Sequence, residues 1–269
     1  MKRIESKKPL RCKSKSCSAI KAAGQYQSRE SARRFAAAVP GTRTDRLEKK
    51  SIHKALFPLP MPPGSSVLDI PCGAGRLYPL LKKKGYRVTG ADISAYMVQE
   101  AARVHYDRLE VADIFETDFL DKEFDLIICH RLFQYFTQAD DRRRVLAELH
   151  RIANGPVIVS FSCNFAVDFL FYRIRRFCGL SHQRNCRPIS FIHFARDARE
   201  AGLEVIRWIA ARPFISVRWY AVMRSIQCAG AVRNPGTIFL RSILLPLTAK
   251  AGVSAAIIIL LMYLYLRIG

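Results

Sequence analysis

Val67-Leu68-Asp69-Ile70-Pro71-Cys72-Gly73-Ala74-Gly75-Arg76 is the stretch that decides the fold. An apolar run ends in an acid, and a Gly-x-Gly turn then opens onto an amphipathic segment. Glycine lets backbone approach a ligand closely, and the N-terminus of the following helix offers free N–H donors. Such a turn at the carboxyl end of a first strand is where an open α/β sheet binds a nucleotide-like ligand.

Downstream, short apolar runs alternate with amphipathic stretches, the pattern of a parallel sheet with crossover helices. Strands are expected over 67–70, 87–91, 109–112, 124–129, 157–161, 204–210 and 216–223. Helices are expected over 75–84, 96–105, 139–153 and 189–202, the last entered through Pro188. Upstream, residues 25–39 and 44–56 have helical spacing on either side of Pro40-Gly41, and Pro58, Pro60, Pro62 and Pro63 make a stiff connector. Acids recur at the strand ends. Asp92 lies 17 positions beyond Gly75, directly after the second strand, where a carboxylate suits the two hydroxyls of a ribose. Asp113-Ile114 follows the third strand, and Cys129-His130-Arg131 closes the fourth.

In this order and spacing, residues 55–225 resemble the small-molecule branch of the class I S-adenosylmethionine (SAM)-dependent methyltransferases. The resemblance implies a Rossmann-like, doubly wound α/β sheet and SAM as cofactor. It further implies Asp69, Gly73 and Gly75 at the methionine end, Asp92 at the ribose, and Asp113 with Ile114 at the adenine, with Cys129 also on the cofactor side. Pro71 departs from the family pattern, standing where many members have the first glycine of the turn. His130, with Arg131 and Tyr135 nearby, stands where the fold opens onto the acceptor and is the candidate base. His193 falls inside an amphipathic helix and is expected to pack. A nicotinamide site is the nearest rival, but Tyr78 occupies the place of its third glycine.

The formal charge of +22 lies mostly in the flanks. Residues 1–54 carry 16 Lys/Arg against 4 Asp/Glu, residues 55–225 carry 24 against 18, and residues 226–269 carry 4 against none. A basic flank attracts anionic lipid or nucleic acid alike. Eight scattered cysteines without a Cys-x-x-Cys pair point to a reducing, cytosolic setting and to no metal site. The basic start has no following apolar run, so a secretory signal is not expected.

From Ala251 the sequence AGVSAAIIILLMYLYL runs for sixteen uncharged residues before Arg267. As a helix that is about 24 Å, somewhat short of a hydrocarbon core of about 30 Å. It fits a short anchor or one arm of a hairpin dipping into a leaflet. Residues 165–187 add Phe165, Phe169, Phe171, Tyr172 and Phe177 beside five arginines, a mixture that suits a headgroup interface.

The expected organisation is a basic flexible tail over 1–24, a methyltransferase domain over 25–225 and a hydrophobic membrane-anchoring tail over 226–269. The domain is a seven-stranded sheet preceded by N-terminal helices, and the tail forms a membrane helix. The expected activity is methyl transfer from SAM to a membrane-associated or lipid-like small molecule at the cytosolic face, with membrane lipids as partners. Two alternatives stand beside it: an RNA methyltransferase using the basic arm, and a non-catalytic membrane scaffold that keeps the SAM-type fold. Against the first, no Asn/Asp-Pro-Pro-Tyr type motif follows the fourth strand.

Overall fold

The computed structural model describes residue 24 and residues 26–163, 188–211 and 218–226. Helix α1 (Arg29–Ala38) is capped by Ser28, whose hydroxyl accepts from the Ser31 amide at 3.2 Å. Helix α2 (Arg43–Leu56) is capped by Thr42, which accepts from the Asp45 amide, while Asp45 reaches back to accept from the Gly41 amide at 3.1 Å. One amide orphaned at the helix start is thereby satisfied, and the back-bond from Gly41 fixes the chain entering it. The apolar side of α2, Ile52, Ala55 and Leu56, is fully buried against the sheet in one cluster with Ile158, Tyr220 and Val222.

Seven strands form one sheet: β1 (Ser66–Asp69), β2 (Arg87–Asp92), β3 (Arg108–Val111), β4 (Leu126–Cys129), β5 (Val157–Ser162), β6 (Leu203–Ala210) and β7 (Arg218–Ser225). Their order is β3-β2-β1-β4-β5-β7-β6. Helices α3 (Tyr78–Lys82), α4 (Ala95–Ala101), α5 (Ala139–Ile152) and α6 (Phe191–Glu200) lie between strands in the chain. Because side chains alternate across a strand, β1 and β4 feed two cores. Leu68, Ile127 and Phe161 join Phe194, Trp208 and Trp219 on one face, while Val67, Ile128 and Ile158 join Leu81 and Val88 on the other.

Three expectations are corrected. The sheet is mixed, because β7 runs antiparallel to both β5 and β6. Only residues 211–217 separate β6 from β7, too few for the crossover of a dozen or more residues that parallel pairing requires. The first sheet-crossing helix is shorter than expected: the turn continues through Gly75 at φ +80°, and α3 begins at Tyr78 with Pro79 in its first turn, where a missing N–H costs nothing. The helix carrying His193 is present as α6, but His193 lies on its exposed side.

The chain winds from β1 outward to β3, then returns to lay β4 on the other side of β1. That reversal opens a crevice at the carboxyl ends of β1 and β4. Among the described residues no helix is long and apolar enough to cross a membrane. Residues 1–23, the aromatic and basic stretch 165–187 and the apolar run 251–266 lie outside the described residues.

Candidate active site

The crevice holds an open cleft of about 1070 Å³ including its mouth. Its floor is the turn after β1. Pro71 enters that turn through a cis bond from Ile70, and the Cys72 amide donates to the Ala91 carbonyl at 2.8 Å, which fixes the turn against β2. Gly73, at φ +53°, faces the cleft with open space: a Cβ there would meet nothing nearer than the Phe35 ring at 3.8 Å.

Three acids line this end. Asp69 is fully buried at the end of β1; its Oδ2 accepts from the Tyr106 hydroxyl at 2.8 Å, and its Oδ1 has no hydrogen-bond partner among the described residues. Burial pushes its carboxyl up to about 7 against the lowering effect of Tyr106. Asp92, at the end of β2, accepts from the Gly73 amide at 3.0 Å through Oδ2 and from the Ser94 amide at 2.9 Å through Oδ1. It thus ties the glycine turn to the start of α4, and burial raises it to about 6. Asp113 is buried after β3 and accepts from the Phe115 amide at 3.1 Å, with Ile114 beside it on the cleft wall.

The far wall carries a buried ionic cluster. Arg76 Nη1 lies 2.8 Å from both Asp45 Oδ1 and Glu48 Oε2, two acids brought from α2. Arg76 Nη2 meets His130 Nε2 at 2.5 Å, Glu48 Oε2 lies 3.2 Å from that same nitrogen, and Arg218 Nε of β7 stands 3.0 Å from Glu48 Oε1. His130 also stacks on Tyr220, with ring centres 5.7 Å apart. Burial depresses its imidazole to about 4, so the ring is neutral at pH 7. Arginine can only donate, so Nε2 accepts and the proton resides on Nδ1. With the one lone pair committed to Arg76, this arrangement does not present His130 as a proton acceptor to the cleft; it is a member of the ion network. In spite of its burial, the flanking Arg218 and Arg131 cations hold the Glu48 carboxyl well below the usual carboxylate range.

The turn, Asp69, Asp92, Asp113, Ile114 and His130 are therefore brought to one cleft. Two other candidates are not. Cys129 is fully buried in the core with Ile127 and does not line the cleft. Gly75 does not line the cleft; it lies under Val104 and Tyr106, where a Cβ would come within 2.5 Å of Val104 Cγ2. The sequence reading missed Tyr26, Phe35, Met97, Leu132 and Phe136, all on the cleft wall. Tyr26 packs on Phe35 with ring centres 4.9 Å apart, and its carbonyl accepts from the Ser94 hydroxyl. Burial, with Tyr135 and Asp92 nearby, pushes the Tyr26 hydroxyl up to about 12. The missed role of Glu48 had one signal. Asp45 and Glu48 are two of only four acids in residues 1–54, three apart on one helix.

Residues 68–158 match the family described as a methyltransferase domain. The chain is 27% identical over 200 residues to the malonyl-[acyl-carrier protein] O-methyltransferase of Pectobacterium atrosepticum, which covers 71% of this chain and 76% of that protein. A second protein of that description, from Hamiltonella defensa, is 33% identical over 99 residues; here the match spans 36% of this chain and only 37% of that protein. The chloroplastic magnesium protoporphyrin IX methyltransferase of Arabidopsis thaliana is 26% identical, with 58% of this chain and 51% of that protein covered. Among solved structures, magnesium protoporphyrin IX methyltransferase from Synechocystis PCC 6803 with bound SAH superposes with a TM-score of 0.62 at 17% identity, covering 76% of this chain and 97% of that one.

Proposed function

Since this chain belongs to the class I SAM-dependent methyltransferases, we propose that it methylates a membrane-associated or lipid-like small molecule at the cytosolic face of a membrane. Bound SAM supplies an electrophilic methyl group on a sulfonium. The protein's tasks are then to align the acceptor with it and keep water out.

The residues present fit that cofactor. The unpaired, buried Asp69 Oδ1 borders the cleft and suits the methionine ammonium. Asp92, which accepts from the Gly73 and Ser94 amides, has carboxylate oxygens of a kind that can also accept from a ribose hydroxyl. Asp113 and Ile114 would bound the adenine, and the open face of Gly73 would let the methionine chain pass close to backbone. His130 is assigned a positioning role, accepting from Arg76 and so holding that guanidinium in place at the wall.

Among the relatives, the acceptors named are malonyl-[acyl-carrier protein] and magnesium protoporphyrin IX. A small-molecule acceptor is the common ground; the membrane-bound acceptor is our reading. The observation that carries it is the uncharged run 251–266, supported by the aromatic and arginine-rich stretch 165–187 and the aromatic cleft wall of Tyr26, Phe35 and Tyr135. Residues 25–225 form the proposed domain and 226–269 the proposed anchor. Deleting residues 237–269 should move the protein out of the membrane fraction and abolish methylation of native membranes, while SAM binding in calorimetry persists. Unchanged fractionation and unchanged activity on native membranes would overturn the proposal.

A further inference from the structure

We infer that the acceptor carries its own anionic oxygen group, a carboxylate or a phosphate, and that Arg131 is the residue that binds it. The inference rests on the reading of the cleft as a methyltransferase site. It does not depend on the membrane anchor.

Charge at the far wall does not balance. Three guanidiniums, Arg76, Arg131 and Arg218, face two carboxylates, Asp45 and Glu48. Arg76 sits 2.8 Å from each of the two acids and Arg218 sits 3.0 Å from Glu48, so both carboxylates already have close partners. Lys49, at 3.0 Å, takes a further share of Asp45. Arg131 reaches Glu48 Oε2 only at 4.0 Å, beyond hydrogen-bond distance, and its side chain is 30% exposed. His130 is neutral and accepts from Arg76, so it offers Arg131 no charge. Among the described residues, Arg131 is thus the cation of this group whose fork of donors is not used.

Its backbone is held in an uncommon conformation. Arg131 adopts φ +64°, a left-handed conformation rare for a non-glycine residue, and its amide donates to the buried Ser160 hydroxyl at 2.7 Å. Such conformations persist where surrounding structure fixes them, and they gather at ligand sites. Arg131 lines the cleft, as do Leu132 and Tyr135. An apolar and aromatic wall with one available guanidinium suits an amphiphile with an anionic head, since arginine matches carboxylate and phosphate in a two-pronged geometry.

The test uses the full-length chain in nanodiscs, saturated with S-adenosylhomocysteine, and hexanoate, hexyl phosphate and hexanol as probes. Arg131→Asn is the informative variant, because asparagine tolerates positive φ, and Arg131→Lys restores the charge. Wild type should bind at least one anionic probe about ten-fold more tightly than hexanol by saturation-transfer NMR, the scale of a charge-assisted hydrogen bond. R131N should erase that preference, R131K should recover part of it, and S-adenosylhomocysteine affinity by calorimetry should stay the same in all three. Preference for hexanoate identifies a carboxylate acceptor, and preference for hexyl phosphate a phosphate one. No preference in wild type, or a preference kept in R131N, overturns the inference while leaving the cofactor site intact. Loss of S-adenosylhomocysteine binding in R131N would assign Arg131 to the cofactor's own carboxylate and likewise overturn it. Failure of wild type to bind S-adenosylhomocysteine would remove the cofactor site beneath it.

Discussion

Asp69 and Asp92 are two buried carboxylates at one end of the cleft; burial raises Asp69, and the nearby Asp92 charge adds to that rise. Asp69, raised to about 7, contributes to the stability of the free chain fully below about pH 4, the unfolded value, and that contribution is lost as pH rises through about 7. At neutral pH this buried acid is therefore a destabilising group that a cationic ligand would relieve. If Asp69 holds the methionine ammonium, S-adenosylhomocysteine affinity should rise roughly ten-fold between pH 6 and pH 8, following the ionised fraction of a group titrating near 7. Asp69→Asn should bind weakly and show no such slope. A wild-type affinity that is flat across this range, measured by calorimetry, would remove Asp69 from the ammonium site.

Within the turn joining β1 to α3, two glycines separated by one residue do different work. Gly75, at φ +80°, lies where a Cβ would meet Val104 at 2.5 Å and the Tyr106 ring at 3.1 Å. Gly75→Ala combines backbone strain with overpacking and should cost about 2–4 kcal/mol of stability in denaturant titration. Gly73→Ala faces only the strain of φ +53°, about 1–2 kcal/mol, because nothing lies nearer than 3.8 Å. Its methyl group instead enters the cleft, so the larger effect should be on cofactor affinity. Equal stability losses in the two variants would contradict this division. The pattern Gly-x-Gly was legible in the sequence. Which glycine touches ligand and which touches Val104 was not, because the answer depends on a segment some thirty residues away.

Across the molecule, α2 ties the N-terminal region to three segments of the sheet domain through Glu48, which meets Arg76 after β1, His130 after β4 and Arg218 on β7. Removing one member of such a buried group leaves the others uncompensated. Glu48→Ala should therefore destabilise the chain by about 3–5 kcal/mol, more than truncation of an exposed acid such as Glu30. A loss in thermal and denaturant unfolding no larger than that of Glu30→Ala would show that the cluster is not the tether described.

The sequence alone determined the sheet, six of its seven strand directions, the glycine turn and the acids after β1, β2 and β3. Each of these is written locally, in alternation, in a turn residue or in an acid at a strand end, so spacing along the chain reveals it. The direction of β7 was legible in principle from the short link before it, and was missed because apolar alternation carries no polarity. The tertiary structure alone decided the far wall. Glu48 and His130 are 82 residues apart in the chain, and Arg218 is further still. It also decided that Cys129 is buried in the core, that Tyr26 and Phe35 border the cleft, and that Arg131 is left over when the charges are paired. Long-range ion pairs leave no periodic trace in sequence, since any acid on any helix can satisfy them, and only the fold selects which one does.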